Sequence, residues 1–364
     1  MRLINDLARE RGRRGWSQAR AAAAAGISRQ SYAAIESGAS VPSTEVAIRL
    51  ARAFGRAVEE LFRVPDAPAE RITARWAGEG EPLGRRVRLA RVGGRVIAVP
   101  TDEGERPHTP AAGVVAGLAV DEVVVSLLPE RPPMAELRVV GCDPAFGIVA
   151  DALRRERGLE VAWSQRGSRS AIEALARGEA HVAGAHLRDP RSGETNGPWI
   201  REALPFPCTR VVFAVWEQAL LTARGNPSAI TEVADLARPG VRLINREPGS
   251  GSRLLLDEAL VSAGVPADSI AGYDTAARGH LAVGEAIAAG LADAGIAIRA
   301  AGAAFGLDVL PLRPEPYELI IPDHFLDLPA VGALLDLLRR PGIRAQVEAL
   351  QGYDTSAMGR DVAP

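Results

Sequence analysis

The first sixty residues constrain the fold most strongly, because turn signals divide them into short helical segments. Apolar residues recur at helical spacing from Leu3 to Phe62, and glycines interrupt the pattern three times. Ser17 and Ser28 can each cap a helix by accepting backbone N–H groups of its first turn. Gly38 can let the chain leave the third helix with a positive φ. The pattern predicts five short helices, the third of them running from Arg29 to Glu36.

A tight turn separates the second and third helices of this segment. The turn reads Ala25-Gly26-Ile27-Ser28, and it places a short polar helix where it can enter the major groove of DNA. The uneven distribution of charge along the chain agrees with this prediction. Residues 1–64 contain 11 Arg and 6 acidic residues, a net charge of +5, so the remainder carries −7 because the whole chain has −2. A basic segment on an acidic body is expected when only that segment meets phosphate.

Composition limits the class of protein. A chain of 364 residues with 47% hydrophobic content can bury two or three cores. Its apolar runs are shorter than the roughly 20 residues of a membrane span. The charged N-terminal segment does not resemble a secretory signal, so we expect a cytoplasmic protein without membrane contact. Cys142 and Cys208 are far apart, which favours neither a disulfide framework nor a thiolate metal site, and we expect both to be small buried residues.

Four motifs in the first domain carry a family resemblance: Trp16-Ser17-Gln18, Gly26-Ile27-Ser28-Arg29-Gln30, Ile35-Glu36-Ser37-Gly38 and Val41-Pro42-Ser43. Together they resemble the Cro/repressor-type (XRE) helix-turn-helix family over nearly the whole segment. The resemblance implies a transcriptional regulator that binds double-stranded DNA at a palindromic operator. It also implies the following DNA contacts: Gln18, Ser28, Arg29, Gln30, Ser31 and Tyr32.

The roles of these residues follow from the same resemblance. Gln18 would anchor to backbone phosphate and brace the recognition helix, whereas Arg29, Gln30, Ser31 and Tyr32 would face base edges. Arg and Gln suit this because they can present paired hydrogen-bonding groups to guanine or adenine. The alternative is that these side chains form an ordinary solvated helix face.

The second helix departs from the family pattern because it is almost all alanine, at Ala19 and from Ala21 to Ala25. It should pack closely and make few phosphate contacts. A monomer would then bind DNA weakly. We therefore expect a homodimer, in which two recognition helices about 34 Å apart read the two half-sites of a palindrome.

The middle of the chain changes from helical to β-rich patterning. Two prolines in residues 65–69 indicate a linker, and three β-rich runs follow: Val87 to Val92, Arg95 to Val99 and Glu122 to Leu128. Gly93-Gly94 between the first two is a hairpin signal. We predict a small β module, a half-open barrel, across residues 65–134. It could bind a ligand, dimerise or space the two ends, and the sequence does not distinguish these roles.

From residue 135 the chain alternates strands and helices. The expected elements are strands Leu137–Val140, Leu159–Trp163 and His181–Ala185, with helices Pro144–Arg157 and Ser170–Arg177. This βαβ order predicts a parallel sheet covered on both faces. Residues 174–180 weakly resemble residues 286–292. In each copy a helix ends at a glycine and a strand follows. The repeat predicts two similar lobes.

Each lobe also has a strand, a Gly/Ser loop and a helix start. One loop is Gly167-Ser168-Arg169-Ser170, and the other is Gly249-Ser250-Gly251-Ser252-Arg253. Exposed N–H groups at helix starts favour an anion, so two such loops facing each other could clamp one without catalytic groups. The alternative is that each loop only caps its helix.

Several motifs resemble the type 2 periplasmic-binding-protein fold, in the version fused to regulators and to molybdopterin-biosynthesis proteins and related to molybdate-binding proteins. They include Gly141-Cys142-Asp143-Pro144, Gly193-Glu194-Thr195-Asn196 and Leu291-Ala292-Asp293-Ala294-Gly295. The resemblance implies a domain over residues 135–364, with lobe 1 at about 135–215 and 318–364 and lobe 2 at about 216–317. The chain would cross between lobes near Arg210 to Thr222 and Tyr317 to Pro322. It further implies these ligand contacts: Asp143, Ser168, Ser170, His186, Asn245, Arg246, Ser250, Ser252, Arg253 and Tyr317.

The ligand expected from the resemblance is a small anion, either molybdate or tungstate or an organic anion. Arg246 and Arg253 favour an anion, although each could instead pair with a nearby acid. Asp143 would repel one unless it caps the following helix or accepts from a ligand hydroxyl. His181, His186 and His280 are not spaced as a metal triad, so neither a metal site nor a further cofactor is expected.

Three functions are compatible with this multidomain chain, which combines an all-α first domain, a β-rich middle and a two-lobed α/β domain. The first is a ligand-responsive regulator in which closure of the lobes changes the spacing of the recognition helices. The second is an enzyme or a molybdenum-cofactor accessory protein, but no nucleophile and base are paired in the loops, so no catalytic residues are assigned. The third is a DNA-binding scaffold with a vestigial cleft.

Overall fold

The computed structural model describes residues 3–63, 70–102 and 109–362. The chain divides into two compact units, Met1–Glu70 and Arg71–Pro364. The predicted linker at residues 65–69 lies outside the described residues. In the described part of the chain, every helix is too short or too polar to cross a lipid bilayer.

The first unit is a helical domain closed by one small pair of strands. Strand β1 (Ile4–Asn5) pairs antiparallel with β2 (Phe62–Arg63). Five helices lie between them, as predicted: α1 Leu7–Arg13, α2 Gln18–Ala25, α3 Arg29–Glu36, α4 Thr44–Ala53 and α5 Val58–Leu61. Ser17 and Ser28 cap α2 and α3 by accepting from Arg20 N and Ser31 N, which confirms both predicted caps. Gly38 has the predicted positive φ, 71°.

The alanine-rich helix α2 allows close packing in the core of this unit. Ala21, Ala22 and Ala25 are buried against the other helices, while Ala23 and Ala24 on the same helix are exposed. Small side chains let neighbouring backbones approach closely, because no long side chain separates them. The remaining volume is filled by large residues: Leu7, Tyr32, Ile35, Leu50, Phe54, Leu61 and Phe62.

The β module is a closed five-stranded barrel, so the expected half-open form is wrong. Its strands are β3 Arg71–Trp76, β4 Arg86–Val92, β5 Arg95–Pro100, β6 Gly113–Ala119 and β7 Glu122–Leu127. They follow the order β3-β5-β4-β6-β7, and β3 closes the ring by pairing with β7. The Gly93-Gly94 hairpin between β4 and β5 is confirmed, since both glycines have positive φ.

The rest of the second unit alternates strands and helices. In chain order the elements are β8 Leu137–Val140, α6 Phe146–Arg157, β9 Val161–Ser164, α7 Ser168–Ala176, β10 Val182–Ala185, α8 Gly197–Ala203, β11 Cys208–Thr222, β12 Asn245–Arg246, α9 Gly251–Ala263, β13 Ala276–Ala277, α10 His280–Ala288, β14 Ala294–Ile298, α11 Arg299–Phe305, β15 Asp308–Pro322, α12 Pro329–Leu338, α13 Pro341–Glu348 and β16 Tyr353–Asp354. The five elements predicted between residues 137 and 185 are all present, and no end differs by more than two residues.

The main sheet has the strand order β14-β11-β15-β10-β8-β9, with β16 added to β11. Strands β8, β9 and β10 are parallel, as predicted. The whole sheet is mixed, because the long strands β11 and β15 run antiparallel to each other and to their neighbours β14 and β10. Their pairing extends over both predicted crossing regions, and its register shifts between Val212 and Ala214 and between Gln218 and Ala219.

The barrel packs directly on the β8–β9 edge of this sheet. Arg88 on β4 donates to Glu160 Oε2 at 2.9 Å and to the Val161 carbonyl at 2.8 Å. Ala90 forms a bridge with Ala135, and barrel residues share a hydrophobic cluster with Ala162. The barrel and the sheet are therefore parts of one unit.

Candidate functional site

The recognition helix α3 presents a polar surface at its N-terminal end. Ser28, Arg29, Gln30 and Ser31 are exposed, as a base-reading surface requires. Tyr32 is fully buried, and its hydroxyl donates to Glu36 at 3.2 Å. The expectation that Tyr32 faces base edges is therefore wrong in this structure, because its side chain faces the core one turn before Glu36.

Glu36 joins three helices of the first unit. Its carboxylate accepts from Gln18 Nε2 at 2.6 Å and from Arg11 Nε at 2.7 Å. Burial alone would raise the pKa of Glu36, but the hydrogen bonds from Arg11 and Gln18 lower it overall. Gln18 thus braces the recognition helix through Glu36, the bracing that the family resemblance implies. Its other implied contact, to phosphate, stays a prediction.

In the second unit the two Gly/Ser loops lie face to face. Helices α7 and α9 begin at Ser168 and Gly251, and the N–H of Arg169 donates to the Gly249 carbonyl at 3.3 Å. A Cβ atom added to Gly167 would lie 3.5 Å from Cβ of Ser250. Each loop also serves its own helix or strand: Ser250 Oγ caps α9, and Ser168 Oγ accepts from the N–H of His186. The two loops therefore contact each other, and each also holds its own helix or strand.

A third helix start joins these two. Helix α10 begins at His280, and the N–H of Gly279 donates to Glu247 Oε2 at 3.4 Å. Arg246 holds the same carboxylate through Nε and Nη2, at 2.7 and 2.9 Å. Burial would raise the pKa of Glu247, but Arg246 lowers it overall. A negatively charged side chain thus lies at the N-terminus of α10, where an anion is favoured.

His186 is the hub of a buried polar network below the loops. Its Nδ1 lies 2.9 Å from Glu315 Oε2, which also accepts from Gln218 at 3.0 Å. Ser252 donates to Gln218 Oε1 at 3.0 Å, so the network reaches the second loop. Burial alone would lower the pKa of His186, but Cys142 and Glu315 raise it to about 9.

Asp143 lies next to this network and is fully buried. Its Oδ1 accepts from the N–H of Ala145 at 2.8 Å and from the Tyr353 hydroxyl at 2.7 Å. The first bond closes a turn just before α6, whose N-cap residue is Ala145, so Asp143 does not occupy the cap position predicted for it. Burial raises the pKa of Asp143 to about 7. A carboxyl group that is easily protonated repels a nearby anion less than an ionised one does.

Tyr317 holds β8 and β10 at a fixed distance below the cleft. Its hydroxyl lies 3.4 Å from the N–H of Asp143. A Cβ added to Gly184 would lie 1.9 Å from the Tyr317 hydroxyl, and one added to Gly141 would lie 2.3 Å from it. The two glycines are therefore required by the close approach of this ring.

Three of the predicted ligand residues lie at the edge of the cluster. Asn245 donates to the Tyr273 carbonyl at 3.0 Å and so holds its own loop. The guanidinium of Arg253 lies 4.4 Å from the centre of the Tyr273 ring. Ser170 lines a cavity of about 180 Å³ at the mouth of the cleft, together with Arg166 and Arg278.

The structure adds residues that the sequence analysis did not assign to the site, namely Cys142, Gln218, Glu247, His280 and Glu315. Gln218 and Glu315 come from β11 and β15, whose mostly apolar pattern marks them only as buried strands. A buried polar residue inside such a strand is the one signal that could have identified them, because it requires a polar partner.

A loop of the barrel contacts both sides of the cleft mouth. Arg166, from the segment before α7, donates to the Ala77 carbonyl at 2.5 Å. Arg278, from the segment before α10, pairs with Glu79 at 2.7 Å. Residues 77–79 therefore touch both Arg-bearing segments at the opening of the cleft.

Comparison with known proteins identifies two domains. The PBP superfamily domain matches residues 150–339, more than half of the chain, and a Helix-turn-helix domain matches residues 7–61. Over 198 residues the chain is 32% identical to the uncharacterized protein YvgK of Bacillus subtilis (strain 168), which covers 54% of this chain and 63% of YvgK. Over 110 residues it is 34% identical to an uncharacterized protein in the ferredoxin 2Fe-2S gene 5' region of Clostridium pasteurianum, covering 30% and 97% of the two chains.

Solved structures also align with part of this chain. A putative phosphate ABC transporter substrate-binding protein from Clostridium perfringens, with bound phosphate, aligns at 15% identity and a TM-score of 0.47, over 60% of this chain and 98% of that one. The tungstate ABC transporter from Geobacter sulfurreducens aligns at 17% identity and a TM-score of 0.45, over 58% and 97%.

Proposed function

Because the chain belongs to the PBP superfamily and carries a helix-turn-helix DNA-binding domain, we propose that it is a transcriptional regulator whose DNA binding responds to a small anion held in the cleft. Both family resemblances drawn from the sequence are confirmed by these matches. The ligand class, the dimer and the palindromic operator belong to the proposal.

One observation carries the proposal: a buried arginine and the N–H at the start of a helix hold one carboxylate beside the Gly/Ser loops. Arg246, which is only 1% exposed, and the N–H of Gly279, which precedes α10, both donate to Glu247. Helix N-termini present unpaired N–H groups and a partial positive charge, which stabilise an anion. The carboxylate of Glu247 now takes that position and so acts as an internal anion.

A free oxyanion would compete with Glu247 for the same donors. Molybdate and tungstate are the oxyanions that the family resemblance favours, and small organic anions offer similar acceptor oxygens. When an anion binds to Arg246 and the loops, the two helix starts at Ser168 and Gly251 are drawn to a common partner. A ligand can shift the DNA-bound population only if it binds the closed arrangement more tightly than the open one.

The test measures stability and DNA binding together. Thermal unfolding of the full chain is followed with molybdate, tungstate, sulfate, phosphate and small organic acids. Saturation at 100 times Kd should stabilise the protein by about 2.7 kcal/mol. The same anion should change affinity for operator DNA selected from a random library. Arg29→Ala should lose DNA binding and keep the thermal shift.

The variant Glu247→Gln tests the internal anion. Removing its charge should strengthen anion binding by at least about tenfold, because two like charges at close range repel by more than 1 kcal/mol. Glu217→Gln is the matched control, since Glu217 pairs with Arg299 instead. A weaker thermal shift in Glu247→Gln would show that this carboxylate supports the ligand. If no anion changes either unfolding or DNA binding, the sensor proposal is wrong and a scaffold with a vestigial cleft is favoured.

A further inference from the structure

Three potential metal ligands meet beneath the loops. Cys142, His186 and His280 each offer a ligand atom, and these atoms lie within 4.8 Å of one another. All three residues are at most 2% exposed. Cys142 follows β8, His186 follows β10, and His280 is the first residue of α10. The fold therefore brings together three residues that are far apart in the sequence.

Both histidines keep one ring nitrogen without a partner. In the described residues, Nε2 of His186 and Nε2 of His280 are buried and make no hydrogen bond. Leaving a buried polar group without a hydrogen bond destabilises a protein, so such atoms require an explanation. Two of them in one cluster, beside a sulfur atom, point to a shared partner.

Glu315 orients the imidazole ring of His186 as a metal ligand would be oriented. The carboxylate of Glu315 holds Nδ1 of His186 at 2.9 Å, and Arg313 in turn holds Glu315 at 2.6 Å. A histidine that binds a metal through one nitrogen commonly donates its other N–H to a carboxylate, which fixes the ring and its tautomer. In this arrangement Nε2 is the nitrogen of His186 left for an ion.

We propose that Cys142, His186 and His280 bind one thiophilic transition-metal ion of the Zn²⁺ or Cu⁺ class. One thiolate and two imidazoles select such ions over Mg²⁺ or Ca²⁺, which prefer oxygen ligands. Three protein ligands leave a coordination position for water or an exogenous ligand, as in catalytic rather than structural zinc sites.

The protons of the site follow from its hydrogen bonds. Nη1 of Arg246 lies 2.8 Å from Nδ1 of His280, and since guanidinium can only donate, the neutral ring carries its proton on Nε2. An ion bound at Nε2 requires that proton to move to Nδ1, which breaks the contact with Arg246, while Arg246 keeps its two bonds to Glu247. The thiol of Cys142 loses its proton when it binds the ion, so metal binding releases a proton.

His181 does not belong to this cluster, although it is one of the three histidines that the sequence compares with a metal triad. In the structure Nδ1 of His181 accepts from the N–H of Arg138 at 3.0 Å, and its ring packs on Phe325. Cys142, expected to be only a small buried residue, takes its place in the cluster.

The proposed ion would join two parts of the sheet. Cys142 and His186 follow strands β8 and β10, whereas α10, which begins with His280, packs against β14. A bound ion therefore holds together the two sides that the long strands connect. This inference does not rest on the anion proposal, because it uses different atoms and is measured without DNA.

The experiment uses the full chain after removal of bound metals by a chelator. Titration with Co²⁺ should give one bound ion and a thiolate-to-cobalt charge-transfer band, which Zn²⁺ abolishes by replacement. Cys142→Ser should lose the band, whereas Cys208→Ser, the matched control, should keep it. His186→Gln and His280→Gln should each weaken binding at least tenfold, and His324→Gln, an exposed histidine, should not. Glu315→Gln should keep the band and weaken affinity by about 10- to 100-fold.

Two results would overturn the proposal. One is a wild-type chain that binds Co²⁺ without the charge-transfer band, and the other is a band that persists in Cys142→Ser. If Cys142→Ser does not fold by circular dichroism, His280→Gln decides in its place, with unchanged Co²⁺ affinity counting against the site. Anion thermal shifts measured on the same variants separate loss of the metal from loss of the proposed anion response.

Discussion

Asp143 links the stability of the second unit to pH. Its carboxyl group is buried, and its pKa rises from an ordinary 3.8 to about 7. The folded state thus binds the proton more tightly than the unfolded state does. By linkage the free energy of unfolding is highest below about pH 4 for this group and falls as pH rises to about 7, by about 1.4 kcal/mol for each unit of pKa difference.

Asp143→Asn should remove this dependence and raise stability at pH 8, because the amide oxygen can still accept from Ala145 and Tyr353. Urea unfolding at a series of pH values checks it. Asp151→Asn is the control: Asp151 is exposed, and its pKa is lowered by Arg154 and Arg155, so its contribution is lost only in more acidic solution. Parallel pH profiles for wild type and Asp143→Asn would contradict the prediction.

At the residue scale, features set by neighbouring residues are predictable from the sequence. Clusters of residues that are distant in the sequence are not. Ser17, Ser28 and Gly38 act on their own helix ends, so sequence alone predicts them. The burial of Tyr32 depends on which face of α3 packs against the core. The family resemblance does not show that Tyr32 lies on that buried face. Cys142 and His280 are separated by more than a hundred residues, so only the folded chain shows that they are neighbours.

At the element scale, the helical domain was predictable and the barrel was not. Caps and helical periodicity define α1 to α5 within a few residues of each boundary. The barrel closes through β3, which pairs with β5 and β7, and no local signal like Gly93-Gly94 marks pairings between strands that are distant in sequence. The antiparallel direction of β11 and β15 was hidden for a similar reason, since buried strands of either direction read as continuous apolar runs.

Gly184 on β10 provides an element-scale test of close packing. Gly184→Ala places a methyl group 1.9 Å from the Tyr317 hydroxyl, so the strand or the ring must move. We expect a loss of about 1–3 kcal/mol in the free energy of unfolding, measured by urea denaturation.

Gly332→Ala is its control, because nothing lies within 4 Å of that position in helix α12. Alanine there should stabilise the helix by up to about 1 kcal/mol, since glycine costs conformational entropy in a helix. A Gly184→Ala chain as stable as wild type would mean that the contact between Tyr317 and β10 is not tightly packed in solution.

At the scale of the whole molecule, the barrel is placed to report the state of the cleft. It is anchored on the β8–β9 edge through Arg88, and its loop at residues 77–79 reaches Arg166 and Arg278 at the cleft mouth. A change in the separation of these two arginines must therefore strain or release the barrel loop.

Arg278→Ala should separate ligand binding from the DNA response. The Arg278–Glu79 pair is more than half exposed, so its loss should cost less than about 1 kcal/mol of stability. We expect an unchanged anion-induced thermal shift and a reduced effect of the anion on operator affinity, measured by fluorescence anisotropy. Arg242→Ala, which removes another partly exposed pair with Asp293, should leave both unchanged. A full DNA response in Arg278→Ala would exclude this pair from signal transmission.

The paired strands β11 and β15 set the kind of motion that the cleft can make. Because both strands run through the two sides of the sheet, the sides cannot slide apart without breaking the backbone hydrogen bonds that pair the strands. We therefore expect opening to twist this two-stranded ribbon where its register shifts. One shift lies at Gln218, whose amide binds both Glu315 and Ser252. We therefore expect the twist of the ribbon at Gln218 to depend on what the cleft contains.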